Sequence, residues 1–112
     1  MVKIFLDDER KVPGTGWLHA KTAEEAISLI KFYGPNLTRL SLDHDLGDGV
    51  PTGYDVVCAL EELHHEGCIS SDLEVTIHSA NPSGADRMAL ACSRMFDRPK
   101  RSFLIDYFNL LE

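Results

Sequence analysis

No apolar run in this sequence approaches the roughly 18 residues of a membrane-spanning helix, so no membrane role is expected. The opening hydrophobic stretch, residues 1–6, runs straight into Asp7-Asp8-Glu9 and is too short for the apolar segment of a secretory signal. The expectation is a soluble, cytoplasmic protein. Cysteine is sparse: Cys58, Cys68 and Cys92 are odd in number and lack Cys-x-x-Cys spacing, which argues against a disulfide framework, a redox pair or a zinc site. Cys58 and Cys92 fall in helical patterns and read as small buried hydrophobes. Positive charge is also short. Eleven Lys and Arg face eighteen Asp and Glu, and a net charge of -7 disfavours a global grip on nucleic acid.

What remains is compact in design. A chain of 112 residues with 44% hydrophobic content supports a single domain over 1–112, with one core that needs no disulfide or structural metal. Its charge is uneven. Residues 1–86 hold 6 basic and 15 acidic side chains, whereas Arg87, Arg94, Arg98, Lys100 and Arg101 stand against Asp97 alone in 87–101. That basic stretch is either a solvated helix face and loop or a local phosphate-binding patch.

Short apolar runs alternate with amphipathic segments, the pattern of an α/β sandwich. Strands are predicted at residues 2–6, 17–20, 39–42, 73–77 and 103–105. Pro13, Gly14 and Gly16 put a loop where a first crossover helix would stand. Thr22 with Glu25, and Thr52 with Asp55, are capping boxes that start helices. A third helix is predicted from Ser83-Gly84-Ala85-Asp86, carrying Met88, Ala91, Cys92 and Met95, and a truncated last helix from Tyr107. The economical arrangement is a three-layer, doubly wound, five-stranded parallel sheet with its first helix replaced by a loop.

Three strands end in polar residues: Asp7-Asp8-Glu9-Arg10, Asp43-His44-Asp45 and His78-Ser79-Ala80-Asn81. In doubly wound sheets ligands bind beyond the carboxyl ends of the strands. If these strands are neighbours, Asp7, Asp8, Asp43, Asp45, His44, His78 and Ser79 share one crevice. Carboxylates that close repel one another unless a cation intervenes, and Mg²⁺ (or Mn²⁺) suits their oxygens. Asp48 reads as a turn residue, His64 and His65 as solvated groups at a helix end, and His19 has no evident partner.

The acidic pair, Asp43-x-x-Leu46 with Gly53 ahead of a helix, and Ser79-Ala80 resemble the receiver domain of two-component signalling. The longer set Leu6-Asp7-Asp8-Glu9-Arg10, Ser41-Leu42-Asp43-His44-Asp45-Leu46-Gly47, Thr52-Gly53-Tyr54-Asp55 and His78-Ser79-Ala80-Asn81-Pro82 with Gly84 and Met88 resembles the cyclic-phosphate-processing receiver-like family. That resemblance implies a receiver-like strand order 2-1-3-4-5 and action on cyclic phosphate, such as RNA termini or cyclic nucleotides. It also implies a metal at Asp7, Asp8 and Asp43, with the Asp45 main chain or side chain nearby, and phosphate contact by Ser79. The strand-five lysine of signalling receivers has no counterpart before Asp106, which weakens a reading of Asp43 as a phosphoacceptor.

The catalytic reading is a metal-dependent phosphoesterase opening a cyclic phosphodiester. His44 and His78 are the nearby side chains whose ordinary pKa lies near neutrality, so they are assigned as base and acid. Asn81, Ser83, Gly84 and Arg87, at the start of the third helix, would bind phosphate. Taken singly, each histidine reads as a strand-end imidazole bonded to a neighbouring carboxylate; the catalytic reading rests on the pair standing on adjacent strands beside a metal. Two alternatives stand beside this reading: a phosphoacceptor domain modified at Asp43, and a non-catalytic module that binds a phosphate-containing small molecule, an RNA end or a protein. The sequence leaves the oligomeric state open.

Overall fold

The computed structural model describes residues 1–104. Its elements are β1 (Val2–Leu6), β2 (Trp17–Ala20), α1 (Ala23–Tyr33), β3 (Leu37–Leu42), α2 (Gly53–His65), β4 (Glu74–Ile77) and α3 (Pro82–Phe96). Short 3-10 turns follow α1 at Gly34–Asn36 and α3 at Lys100–Ser102. The strands are parallel in the order β2-β1-β3-β4. Both expected capping devices form: Thr22 Oγ1 accepts from the Glu25 amide, and Thr52 and Asp55 close a reciprocal box at α2. Such caps satisfy amides that the first helical turn leaves without partners.

Two expectations are corrected. The sheet has four strands among the described residues, where five were predicted. Phe103 and Leu104 follow a 3-10 turn, and the chain meets β4 there only through the Ile77–Leu104 bridge and the Ile77 amide donating to the Phe103 carbonyl. Ile105, and the short last helix predicted from Tyr107, lie outside the described residues. The three-layer arrangement also reduces to two layers among those residues. The buried stripes of α1, α2 and α3 join one cluster with Ile4, Leu6, Leu40, Leu42, Val75 and Ile77, the positions of a single sheet face. Right-handed crossovers from β2 to β3, β3 to β4 and beyond all advance in one direction and place their helices on that face. Only β1 to β2 runs the other way, and that connection is the predicted loop.

The second face carries Phe5, which is nonetheless fully buried. Its ring stacks on His78 with centroids 4.6 Å apart and meets Trp17 and His19 edge-on. Cys92 packs in the core as expected, and burial pushes its thiol up to about 12. Cys58, in contrast, is exposed on the outer side of α2.

Candidate active site

The ladder hydrogen bonds continue one rung past the strands. The amide of Asp7 donates to Ala20, that of Asp43 to Leu6, and that of His78 to Leu42, each at 3.0 Å. The three acidic or imidazole-bearing strand ends are therefore fixed side by side by the sheet itself. At this edge Asp7, Asp8, Asp43, Asp45 and Asp48 line a pocket of about 430 Å³, together with Glu9, Arg10, Gly47 and Ala80.

Asp7 is the most constrained of them. Oδ1 accepts from the amides of Glu9 and Arg10, both at 2.8 Å, and Oδ2 accepts from His78 Nε2 at 3.0 Å. Burial alone would raise its pKa, but these amides and the imidazole outweigh it and hold the carboxyl below the ordinary value. Asp43 shows the reverse balance. Burial, followed by the charge of Asp7, pushes it up to about 6, although the His44 amide and the Ser79 hydroxyl both bond to it.

The trio Asp7, Asp8 and Asp43 can hold a divalent ion. Each offers a carboxylate oxygen, and all three oxygens lie within 4.8 Å of one another. Hard oxygen donors crowded with like charge fit a hard cation. Asp45 falls outside this trio. Its exposed carboxylate pairs with His44 Nδ1 at 2.7 Å and receives Asn81 Nδ2 at 3.3 Å, bonds that hold it below the usual carboxylate range.

The two histidines have different surroundings. The His44 ring lies against the first turn of α3, where a Cβ on Gly84 would come within 2.6 Å of it. Gly53 opens α2 in similar contact: a Cβ there would overlap the Asp43 carbonyl oxygen at 1.8 Å. Glycine at both positions lets two helix starts close onto the end of β3. The side chain of His78 has no exposure. Its Nδ1 meets Ser41 Oγ at 2.7 Å and its Nε2 meets Asp7, while burial pushes its pKa down to about 4. His78 is thus a neutral hydrogen-bonding partner of Asp7. Neither imidazole lines the pocket wall.

The predicted phosphate group is dispersed. Asn81 caps α3, its Oδ1 accepting from the Gly84 amide at 3.0 Å and from Ser83 Oγ at 3.1 Å. The helix therefore starts at Pro82, ahead of the predicted Ser83. The Arg87 guanidinium stacks on Tyr54 at 4.6 Å and is not among the residues that line the pocket. Other cations of the basic stretch are likewise engaged locally, Lys100 with Asp86 and Arg98 with the Ser71 and Leu73 carbonyls. Ser79 does reach the site, bonding Asp43 while its Oγ accepts from the Asn81 amide.

Two contacts escaped the sequence reading. His19 Nε2 lies 2.8 Å from the Asp7 carbonyl, and Arg10 faces the pocket. The spacing of Asp7 and Arg10, three apart across a turn, was the available signal for the second.

Among the described residues, no helix is long and apolar enough to cross a membrane. Residues 2–94 match a family described as the cyclic-phosphate processing receiver domain. Neither the curated proteins nor the solved structures give a match.

Proposed function

The chain belongs to the cyclic-phosphate processing receiver family, and from that premise we propose that it is a metal-dependent phosphoesterase that hydrolyses cyclic phosphate. The observation that carries this reading is the convergence of three carboxylate oxygens, from Asp7, Asp8 and Asp43, within 4.8 Å. These residues would hold Mg²⁺ or Mn²⁺, which when bound supplies charge stabilisation for the non-bridging phosphate oxygens. Substrates of this class are 2′,3′-cyclic phosphate ends of RNA and cyclic nucleotides.

The chain's own groups divide the remaining work. Asp45 faces the pocket as a carboxylate, and His44 behind it fixes its orientation through Nδ1. Together they accept the proton of a water whose oxygen bonds to phosphorus. As the ring P–O bond breaks, the same pair returns that proton to the departing alkoxide, which leaves a monoester. The Ser79 hydroxyl, which donates to Asp43, would turn its one proton to a phosphate oxygen when substrate binds. His78 acts as a positioning residue, since its bonds to Ser41 and Asp7 set the carboxylate rather than reach the substrate.

Turnover of 2′,3′-cyclic nucleotides with Mg²⁺ tests this. Wild-type protein should release the ring-opened monoester, and a chelator should stop it. His44→Ala should slow it by about 10²-fold or more. Turnover that survives chelation removes the metal, and full activity in His44→Ala removes the proton-transfer pair. A lasting, Asp43-dependent mass increase with acetyl phosphate and Mg²⁺ would favour the phosphoacceptor alternative.

A further inference from the structure

Arg10 spans the end of the sheet. Asp7 Oδ1 fixes its amide and turns the chain back over β1, and from there Nη1 donates to the His78 carbonyl at 2.8 Å and approaches Asp7 Oδ2 at 3.4 Å. β3 lies between β1 and β4, so the two strands that this side chain joins are roughly 10 Å apart. A guanidinium reaching across that gap lies over the end of β3, where Asp43 stands. The electrostatics agree, since the charge of Arg10 acts to lower the pKa of Asp43.

Among the described residues, the pocket wall holds six carboxylates, those of Asp7, Asp8, Glu9, Asp43, Asp45 and Asp48, and Arg10 is the one cationic side chain that lines it. Its side chain is 36% exposed, so it is accessible from the pocket while anchored from behind. A divalent ion on Asp7, Asp8 and Asp43 would leave one of their three formal charges uncompensated. A phosphate arriving there needs a further positive partner, and the residues of α3 do not supply it: the Gly84 amide is taken by Asn81, and Arg87 rests on Tyr54. Arginine also suits the task, because its planar fork can hold a main-chain carbonyl and a phosphate oxygen together.

We infer that Arg10 is the phosphate-binding cation of this site, donating to a non-bridging oxygen next to the carboxylate trio. The inference rests on the phosphoesterase reading for its substrate, and its test separates the two. Mg²⁺ affinity is measured by calorimetry, turnover with 2′,3′-cyclic AMP, and anion binding by NMR titration with diethyl phosphate in Mg²⁺. In Arg10→Gln, kcat/KM should fall about a hundredfold, the scale of losing one charged donor to a reacting phosphate. Diethyl phosphate should bind about tenfold more weakly, while Mg²⁺ binds as in the wild type or more tightly. Arg10→Lys should recover part of both losses. Unchanged diethyl phosphate affinity in Arg10→Gln overturns the inference, as does a loss of Mg²⁺ affinity equal to the loss of turnover, which would make Arg10 a brace for Asp7. If Arg10→Gln does not fold, Arg10→Lys decides, by weaker diethyl phosphate binding at unchanged Mg²⁺ affinity and melting temperature. If wild-type protein turns over no cyclic phosphate, the enzymatic reading falls and the diethyl phosphate titration still judges Arg10.

Discussion

His78 Nε2 lies 3.0 Å from Asp7 Oδ2, and neither side chain is open to water. With its pKa pushed down to about 4 by burial, the imidazole is neutral at pH 7, and Asp7 is the ionised acceptor. The proton must then sit on Nε2, leaving Nδ1 to accept from the Ser41 hydroxyl. Nitrogen-15 NMR at pH 7 should show His78 as the Nε2–H tautomer. His78→Ala should cost on the order of 3 kcal/mol in urea unfolding, since it leaves a buried carboxylate short of a donor.

Asp43 and His78 oppose each other in pH dependence. Unfolded histidine takes its proton near 6.5 and folded His78 only near 4, so acidification across that window favours the unfolded chain. Folded Asp43 takes its proton near 6 and the unfolded group near 3.8, so the same acidification favours the folded chain. The two groups therefore work against each other as the pH falls. In chelator, wild-type stability should change less between pH 7 and 4.5 than that of Asp43→Asn. Asp43→Asn should be the more stable protein at pH 7 and lose that advantage towards pH 4.5. A flat profile in Asp43→Asn would contradict the buried, neutral state of His78.

Mg²⁺ should stabilise the folded protein by mass action. At a free concentration a hundred times Kd the gain is about 2.7 kcal/mol, visible as a raised Tm. The shift should vanish in Asp43→Asn and in Asp8→Asn. A wild-type Tm indifferent to divalent ions would remove the metal from the trio.

Gly84→Ala and Gly53→Ala should fail differently. The Cβ at residue 84 meets side-chain atoms, the His44 ring at 2.6 Å, so the imidazole must leave its place beside Asp45. The expected outcome is a folded protein with little phosphoesterase activity. The Cβ at residue 53 meets the Asp43 main-chain oxygen at 1.8 Å, so α2 must move off β3, and a loss of more than about 3 kcal/mol is expected. Thermal melts and turnover on both variants distinguish the two cases.

The carboxylates were legible because polarity changes abruptly where a buried strand stops: Leu6 to Asp7, Leu42 to Asp43, Ile77 to His78. The caps at Thr22 and Thr52 were legible because they are local. What a linear pattern does not carry is partnership across strands. Nothing near Arg87 announces Tyr54, and the reach of Arg10 to the His78 carbonyl depends on the order of β1, β3 and β4. His78 was read as an acid or base for the same reason, because the Phe5 ring and Ser41 hydroxyl that enclose it come from other strands. The two-layer arrangement was hidden until the direction of each crossover was known.

The stacking of Phe5 on His78 ties the sheet's second face to its chemistry. Where a helix covers a sheet, the padding and the reactive rim can vary independently. Among the described residues one imidazole serves both, flat against an aromatic neighbour on one surface and bonded to an acidic strand end on the other. Altering Phe5 would therefore register at the Asp7 carboxylate, although Phe5 is not among the residues that line the pocket.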